Sequence, residues 1–348
     1  MNKKYHIIGI MSGTSLDGVD IVKCTFVNNG DWSFNLNRFE TIHYSKYWKE
    51  KLEKLHTKSS KEIGNCDKEY GKLLGNICNQ FIQKNNLKVD YISSHGHTIF
   101  HQPEMKHTLQ IGCGNTIAET TNITTINNFR ELDVSLGGQG APLVPIGDLH
   151  LFSEYKYCLN LGGFANISEK KEKIIAFDIC PVNIVMNEIC KKINKLFDRD
   201  GKLANKGKVI PSLLNELNQL EFYKRNSPKS LGREWVEKNI NPIINKNNYS
   251  TIDKLSTFCE HIGYQIGSFL KDESVLVSGG GTYNKYLIEK IREYSKSKII
   301  IPKSEIIDFK EAIIFAFLGV LRLENKNNCL MSVTGAKTDN CGGDIYIK

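Results

Sequence analysis

The chain has 348 residues, a formal net charge of +8 and 40% hydrophobic residues, enough to bury a sizeable core and to form two domains of ordinary size. Its longest apolar run, "AIIFAFLGVL" at 312–321, is well short of the roughly 20 residues that span a bilayer, so no membrane partner is expected. The lysines are interleaved with Glu and Asn in stretches such as "KYWKEKLEKLHTKSSKE", which reads as a solvated surface and not as a nucleic-acid footprint.

Residues 5–11, 19–27 and 32–44 predict three strands, the last two joined across "NNGD" with its Asn-Gly hairpin signal. Helical spacing covers 46–57 and 60–85, with Ile63, Tyr70, Leu73, Leu74, Ile77, Phe81 and Ile82 on one face, and a strand follows at 89–96. A second cycle begins near residue 157, where "YCLNLGGFANIS" predicts strand, double-glycine turn and strand, followed by "EKKEK" and the strand "IIAFDIC". Helices are predicted at 183–196, 211–222 and 256–270, then the strand "VLVSGGG", the helix "KYLIEKIREY", the strand "KIIIP" and a last helix at 310–323. Two halves that each open with strand, small-residue turn and strand predict a duplicated α/β unit with a ligand cleft between the copies. Gly and Pro concentrate at 137–155, so the boundary is predicted there, with domains at 1–145 and 146–348.

The first turn lies in "IGIMSGTSLDGVDIV" at 8–22 and matches neither GxGxxG nor GxxxxGK[ST]. It offers backbone N–H groups at Gly13, Thr14 and Ser15, hydroxyls on Ser12, Thr14 and Ser15, and the carboxylates Asp17 and Asp20. Amides and hydroxyls suit phosphate oxygens, whereas carboxylates beside them repel phosphate unless Mg²⁺ lies between. A metal nucleotide satisfies both halves of that set; a polar hairpin loop that only reverses the chain is the other reading. "LGGFANIS" at 161–168 and "SGGGTYN" at 278–284 add glycine clusters after strands, where backbone can approach a ligand, or where a tight turn is all that is needed. His95, His97 and His101 raise the question of zinc, but no Cys or carboxylate cluster accompanies them.

The segments "GIMSGTSLDGVD", "SHGHTIFHQP", "LQIG", "NNFRELDVSLGGQGAPLVP", "LNLGGFANIS", "DRDGKLANKGKV", "SGGGTYN", "EAIIFAFLGVLRL" and "SVTGA" closely resemble the anhydro-N-acetylmuramic acid kinases, in the same order and across nearly the whole chain. The resemblance implies two duplicated ribonuclease H-like, actin-like ATPase domains with ATP in the interdomain cleft. It implies a kinase that hydrolytically opens 1,6-anhydro-N-acetylmuramic acid and phosphorylates it to N-acetylmuramic acid 6-phosphate in cell wall recycling, with ATP and Mg²⁺ as cofactors. Carried onto this sequence, it makes Gly13, Thr14, Ser15, Leu16, Asp17, Gly18, Val19 and Asp20 the first phosphate loop. Asp17 and Asp20 then face Mg²⁺ directly or through water, Gly162 and Gly163 form the second loop, and Gly279, Gly280 and Gly281 lie near the nucleoside.

The resemblance also makes Asp178 the base that activates water, at the end of the strand "IIAF". One base suffices, because the γ-phosphoryl group captures the departing O6 where an ordinary glycosidase would need a second carboxyl. Glu311 is implied to position the sugar, and Arg130, His97 and Asn183 to contact it. From the residues alone, Asp178 also reads as a capping Asp, Glu311 as a carboxylate favoured at a helix N-terminus, Arg130 as half of a surface ion pair, and His97 as a packed side chain.

The family's Thr-Gly-Pro-Gly-Asn after the base is here Ile179, Cys180, Pro181, Val182 and Asn183, and Asn187 replaces a common Asp. Losing two glycines removes easy access to positive φ and predicts a different loop path near the sugar. A same-fold kinase for another amino sugar, or a catalytically silent ATP-binding regulatory module, are the alternatives these changes leave open. Ten cysteines without a CxxC pair, and no apolar leader, predict a reduced cytoplasmic protein, and the resemblance implies a homodimer.

Overall fold

A computed structural model describes residues 3–348 apart from 14, 15, 228 and 247. The described strands are β1 (Lys4–Ser12), β2 (Gly18–Asn28), β3 (Trp32–His43), β4 (Tyr91–Gln102), β5 (His107–Ile111), β6 (Thr124–Asn127), β7 (Tyr157–Leu161), β8 (Phe164–Glu169), β9 (Ile175–Pro181), β10 (Ser274–Ser278), β11 (Lys298–Ile300) and β12 (Asp344–Tyr346). They fall into two sheets, ordered β12-β6-β4-β1-β2-β3, with β5 on β4, and β11-β10-β7-β8-β9.

The two orders repeat one plan. β1, β2 and β3 run antiparallel, and β4 then adds parallel to β1 and β6 parallel to β4. Likewise β7, β8 and β9 run antiparallel, with β10 parallel to β7 and β11 parallel to β10. Three strands joined by short reversals and two reached by helical crossovers make the duplicated actin-like α/β unit.

The chain forms two compact units, Met1–Phe152 with Phe309–Lys348, and Ser153–Asp308. Residues 309–348, assigned from sequence to a second domain starting at 146, pack instead with the first unit. Small residues account for this. The helix Ser304–Leu323 lies so close to the sheet that a Cβ on Gly9 would stand 2.2 Å from the Ala312 carbonyl oxygen, and one on Gly319 would stand 2.7 Å from the Ser93 Cβ. On the other face of β1, Ile8 and Ile10 join Ile63, Tyr70, Leu74, Ile77 and Phe81 of the helix Ser60–Asn85. Alternation of side chains thus gives each face of the sheet its own helix.

In the second unit, Leu159, Leu161, Ile167, Phe177, Val275 and Val277 build a core with Leu255, Phe258, Ile262 and Ile266 of the helix Thr251–Phe269. Cys180 and Val182, the replacements for the two expected glycines, are fully buried in this core. Cys180 lies within β9, and Val182 has φ −130°. Neither position needs the left-handed region, so packing volume takes the place of backbone freedom here.

Three short helices at Gly114–Thr121, Glu131–Ser135 and Pro145–Leu151, and the strands β5, β6 and β12, were not predicted; each is too short to carry a clear period. The helix predicted at 310–323 starts at Ser304, and one more short helix, Met331–Thr334, follows it. Among the described residues no helix is long and apolar enough to cross a membrane.

Candidate functional site

In the first unit, β1 ends at Ser12 and β2 begins at Gly18, so the predicted phosphate loop, Gly13 to Asp20, links two paired strands and has Gly18, Val19 and Asp20 already inside β2. Thr14 and Ser15 lie outside the described residues. Leu16 takes a left-handed φ of +58° and packs its side chain on the core. Asp17 is exposed, and its carbonyl accepts from the Tyr44 backbone N–H at 3.4 Å and from His43 Nδ1 at 3.2 Å, tying the turn to the end of β3.

Gly18 has a structural reason to be glycine, because a Cβ there would stand 2.4 Å from the Ile42 carbonyl oxygen. Val19 is fully buried and turns its side chain to the core, while Asp20 accepts from the Thr41 hydroxyl at 2.6 Å. Among the described residues no three His, Cys, Asp or Glu side chains gather to hold a metal. One or two carboxylates completed by phosphate oxygens and water is the usual donor set for Mg²⁺, and Asp17 with Asp20 fits that set.

His95 and His97, two apart on β4, would share a face in a regular strand. Gly96 between them has φ +74°, which breaks the alternation. His97 joins Ser12 (3.1 Å) in a buried hydroxyl cluster with Tyr44 and Tyr70, and it lines an open recess of about 230 Å³ with Leu16, Leu52, Thr98 and Ile99. Burial pushes its imidazole down to about 4. His95 packs instead on Phe315 at 4.6 Å between ring centroids. His101 bonds Thr108, and the three rings do not converge on a metal.

Arg130 is no surface partner. Its Nε and Nη2 donate to His95 Nε2 at 3.1 and 2.9 Å, and its Nη1 donates to the Gly140 carbonyl at 2.6 Å. Burial lowers the guanidinium to about 10, Glu311 opposes that shift, and the group stays a cation. Glu311 sits about two turns into Ser304–Leu323, so the macrodipole of a helix N-terminus does not explain it. Its side chain reaches solvent, yet the surrounding protein raises its carboxyl above the ordinary value; Arg130 and then Lys310 pull the other way, and Asp20 adds to the rise. The first unit therefore brings Asp20, Arg130 and Glu311 into one electrostatic neighbourhood.

In the second unit, Asp178 lies within β9 and not at a strand end. It pairs with Asn166 of β8, which pairs with Asn160 of β7. The three side chains form a polar row across the sheet, with Asn160 Nδ2 donating to Asn166 Oδ1 (3.3 Å) and Asn166 Nδ2 to Asp178 Oδ1 (3.2 Å). The segment 229–231 closes on the same residue. The Asp178 N–H donates to the Lys229 carbonyl (2.9 Å), while the Ser230 hydroxyl (3.2 Å) and the Leu231 N–H (2.8 Å) donate to Oδ2. A helix-capping role for Asp178 is therefore set aside. Asn160, Asn166 and Ser230 were missed from sequence; the available signal was an Asn at a polar parity in two otherwise apolar strands.

The glycine clusters separate by what a Cβ would meet. At Gly279, φ is +82° and a Cβ would stand 2.5 Å from Asn160 Oδ1; at Gly281 it would stand 2.8 Å from the Leu161 Cβ. Both glycines are demanded by the fold. At Gly280 nothing lies within 4 Å, at Gly163 the nearest atom is 3.9 Å away, and at Gly162 it is 3.3 Å away. None of these three has a positive φ among the described residues. Gly163 and Gly280 thus leave open space where a side chain would stand, whereas a Cβ at Gly162 would crowd Asn160, and Gly162 is itself held by its N–H to the Phe164 carbonyl (3.1 Å) and by its carbonyl, which accepts from the Asn183 N–H (3.3 Å). Asn183 opens the helix Asn183–Lys191 and donates to the Leu161 carbonyl at 3.2 Å, beside Gly281.

The neutral burial of His97 and of His261, which lies between Asn218 (2.6 Å) and Tyr223 (3.0 Å) in the second unit with its imidazole pushed down to about 3, has a measurable consequence. The unfolded chain takes up protons near pH 6.5 while the folded chain refuses them, so stability is full above that pH and falls below it. Each of the two contributes about 1.4 kcal/mol per pH unit. The urea midpoint is expected to drop clearly between pH 7 and pH 5, and an unchanged midpoint would contradict the assignment.

A family model described as anhydro-N-acetylmuramic acid kinase matches residues 5–348. The chain is 35% identical to the anhydro-N-acetylmuramic acid kinase of Caldanaerobacter subterraneus subsp. tengcongensis, over 98% of this chain and 96% of that one. It is 32% identical to those of Bacillus cereus (strain G9842) and Clostridioides difficile (strain 630), over 98% of each chain. Among solved structures, the activator of the 2-hydroxyisocaproyl-CoA dehydratase from Clostridium difficile with bound ADPNP aligns at TM-score 0.44 and 12% identity, over 92% of this chain and 97% of that one. A hexokinase from Schistosoma mansoni complexed with glucose aligns at TM-score 0.33 and 10% identity, over 90% and 85%.

Proposed function

Since the chain belongs to the anhydro-N-acetylmuramic acid kinase family, we propose that it uses ATP and water to convert 1,6-anhydro-N-acetylmuramic acid into N-acetylmuramic acid 6-phosphate in cell wall recycling. The single observation that supports a role in this chemistry for residues of this chain is the carboxylate of Asp178, held by three donors on a solvent-reachable strand position.

Asp178 takes a proton from the water that attacks C1. The C1–O6 bond breaks, O6 takes the γ-phosphoryl group, and ADP leaves. General-base assistance of this kind contributes about 10²- to 10⁴-fold. The row Asn160, Asn166 and Asp178 fixes the direction in which the base presents its oxygens. Arg130 pairs with the carboxylate of the sugar's lactyl group, and Glu311, His97 and Asn183 are assigned to the sugar as the family resemblance implies. The backbones of Gly162, Gly163 and Gly280 border the nucleotide, the last two with open space beside them. Asp17 and Asp20 would hold Mg²⁺ directly or through water, and the ion would neutralise phosphate charge. The protein acts in the cytoplasm as a homodimer.

The reading is tested by ADP release with MgATP and the anhydro sugar, with mass detection of the product. Sugar-dependent ADP with a product heavier by water and one phosphoryl group is expected. Release triggered by a different amino sugar, or ATP binding without turnover, would overturn the substrate or the activity respectively. The glycines give a second check. Gly280→Ala should fold normally and raise the KM for MgATP about tenfold, the loss of roughly one hydrogen bond. Gly281→Ala should instead cost about 1–3 kcal/mol of stability by overpacking against Leu161. Equal effects on KM and on melting temperature in both variants would contradict the division between open and structural glycines.

A further inference from the structure

His95 is a buried group that no step of the proposed reaction uses, and its contacts with the backbone carbonyls of Gly96 and Ser12 and with Arg130 constrain one another. Its Nδ1 stands 2.9 Å from the carbonyl of Gly96. A carbonyl only accepts, so Nδ1 carries the proton and Nε2 is left with a lone pair. That lone pair receives both Nε–H and Nη2–H of Arg130. The side edge of the guanidinium is spent on the imidazole, and one Nη1–H goes to Gly140. Of the five N–H donors of an arginine, two remain, one on each terminal nitrogen, and these form the end-on fork that binds a carboxylate or phosphate in a bidentate manner.

The ring is itself held. It is 6% exposed and packs on Phe315, one helical turn beyond Glu311 on the same face of Ser304–Leu323. Phe315 also contacts Phe129, the residue before Arg130, at 5.9 Å, and its carbonyl accepts from Ser93 on β4 at 2.5 Å. Helix, strand and the Arg130 segment thus lock around one imidazole.

We infer that His95 is a positioning residue, a neutral imidazole acceptor that occupies the side edge of Arg130 and so presents its end-on fork to an anionic group of the sugar. This rests on the kinase reading given above for what Arg130 binds. Burial and the adjacent guanidinium keep the imidazole well below its usual titration range, so the acceptor lone pair persists through neutral pH. A cation at this position would repel Arg130 and remove its acceptor.

The test compares wild type, His95→Phe and His95→Gln in steady-state kinetics with MgATP and the anhydro sugar, and reads the ring by nitrogen-15 NMR of imidazole-labelled wild type. His95→Phe keeps ring volume without an acceptor. It should raise the KM for the sugar about 10- to 100-fold while kcat changes less than about threefold, the pattern of lost ground-state binding, with the KM for MgATP unchanged. His95→Gln, whose amide oxygen reaches the place of Nε2, should recover most of the loss, which a purely structural role would not produce. Wild-type sugar KM in His95→Phe, or a parallel fall in kcat and both affinities in both variants, overturns the inference. If His95→Phe fails to fold, His95→Gln and the spectrum decide. If wild type does not act on the sugar, the kinase reading fails by itself and the spectrum still judges this one: Nδ1–H with unprotonated Nε2 supports it, and Nε2–H overturns it.

Discussion

Asp178→Asn is expected to lower kcat by about 10²- to 10⁴-fold, the contribution of a general base, while leaving a folded protein. An amide cannot accept the proton from water, yet it fits the same space. The Leu231 N–H and the Ser230 hydroxyl both point at Oδ2, so the substituted side chain turns its oxygen to them and its NH₂ toward Asn166. Asn166 answers by flipping its amide, which costs its bond from Asn160 and on the order of 1 kcal/mol. A melting temperature within a few degrees of wild type should therefore accompany the lost turnover. Running wild type in oxygen-18 water adds a direct reading of the step: one label should appear at C1 and none in the phosphate. Turnover by the variant within about threefold of wild type, or phosphate label without C1 label, would remove Asp178 from the role of base.

The second large effect concerns stability. Lys310 Nζ and Asp148 Oδ1 stand 2.6 Å apart with side chains only 6% and 2% exposed, and the ammonium lies 5.3 Å from the centre of the Phe152 ring. Exposed pairs such as Lys46–Glu50, at 3.8 Å, are worth little because water screens them and side-chain entropy opposes them. The buried pair is different, since removing Asp148 takes away the carboxylate 2.6 Å from a buried ammonium, where water screens the charge poorly. Asp148→Ala is expected to destabilise the first unit by about 3–5 kcal/mol, a fall of roughly 10 °C in melting temperature for a unit of this size. The double variant Asp148→Ala with Lys310→Met should recover a substantial part of that loss, because it removes both charges of the pair. Calorimetry or urea unfolding decides this, and a single-variant loss below about 1 kcal/mol would show that the lysine finds another partner at little cost. The pair also matters to the site, because Lys310 precedes Glu311 and its charge favours the ionised carboxyl there.

The order of strands and turns was legible because its signals are local. Period-two alternation in 5–11 and 19–27, the Asn-Gly hairpin, and glycine clusters directly after strands depend on near neighbours in the chain. The seven apolar positions named on the face of Ser60–Asn85 are buried or half-buried in the structure, since a 3.6-residue period admits one inward stripe. The motifs that carry the family resemblance were equally readable, and the family model and the relatives bear it out.

Only the tertiary structure decided how distant segments share those elements. That residues 309–348 return to the first unit follows from close approaches at Gly9 and Gly319, between positions about 300 residues apart in one case and about 230 in the other. A single left-handed glycine turns His95 toward Arg130 and leaves His97 beside Ser12, which no strand periodicity encodes. Asp178 owes its orientation to a segment 51–53 residues downstream. Composition and spacing determine which elements form, because propensity and turn chemistry act over a few residues. Which carboxylate is oriented, which arginine is aimed and which glycine is left open depend on contacts between segments, which exist only once the chain has closed upon itself.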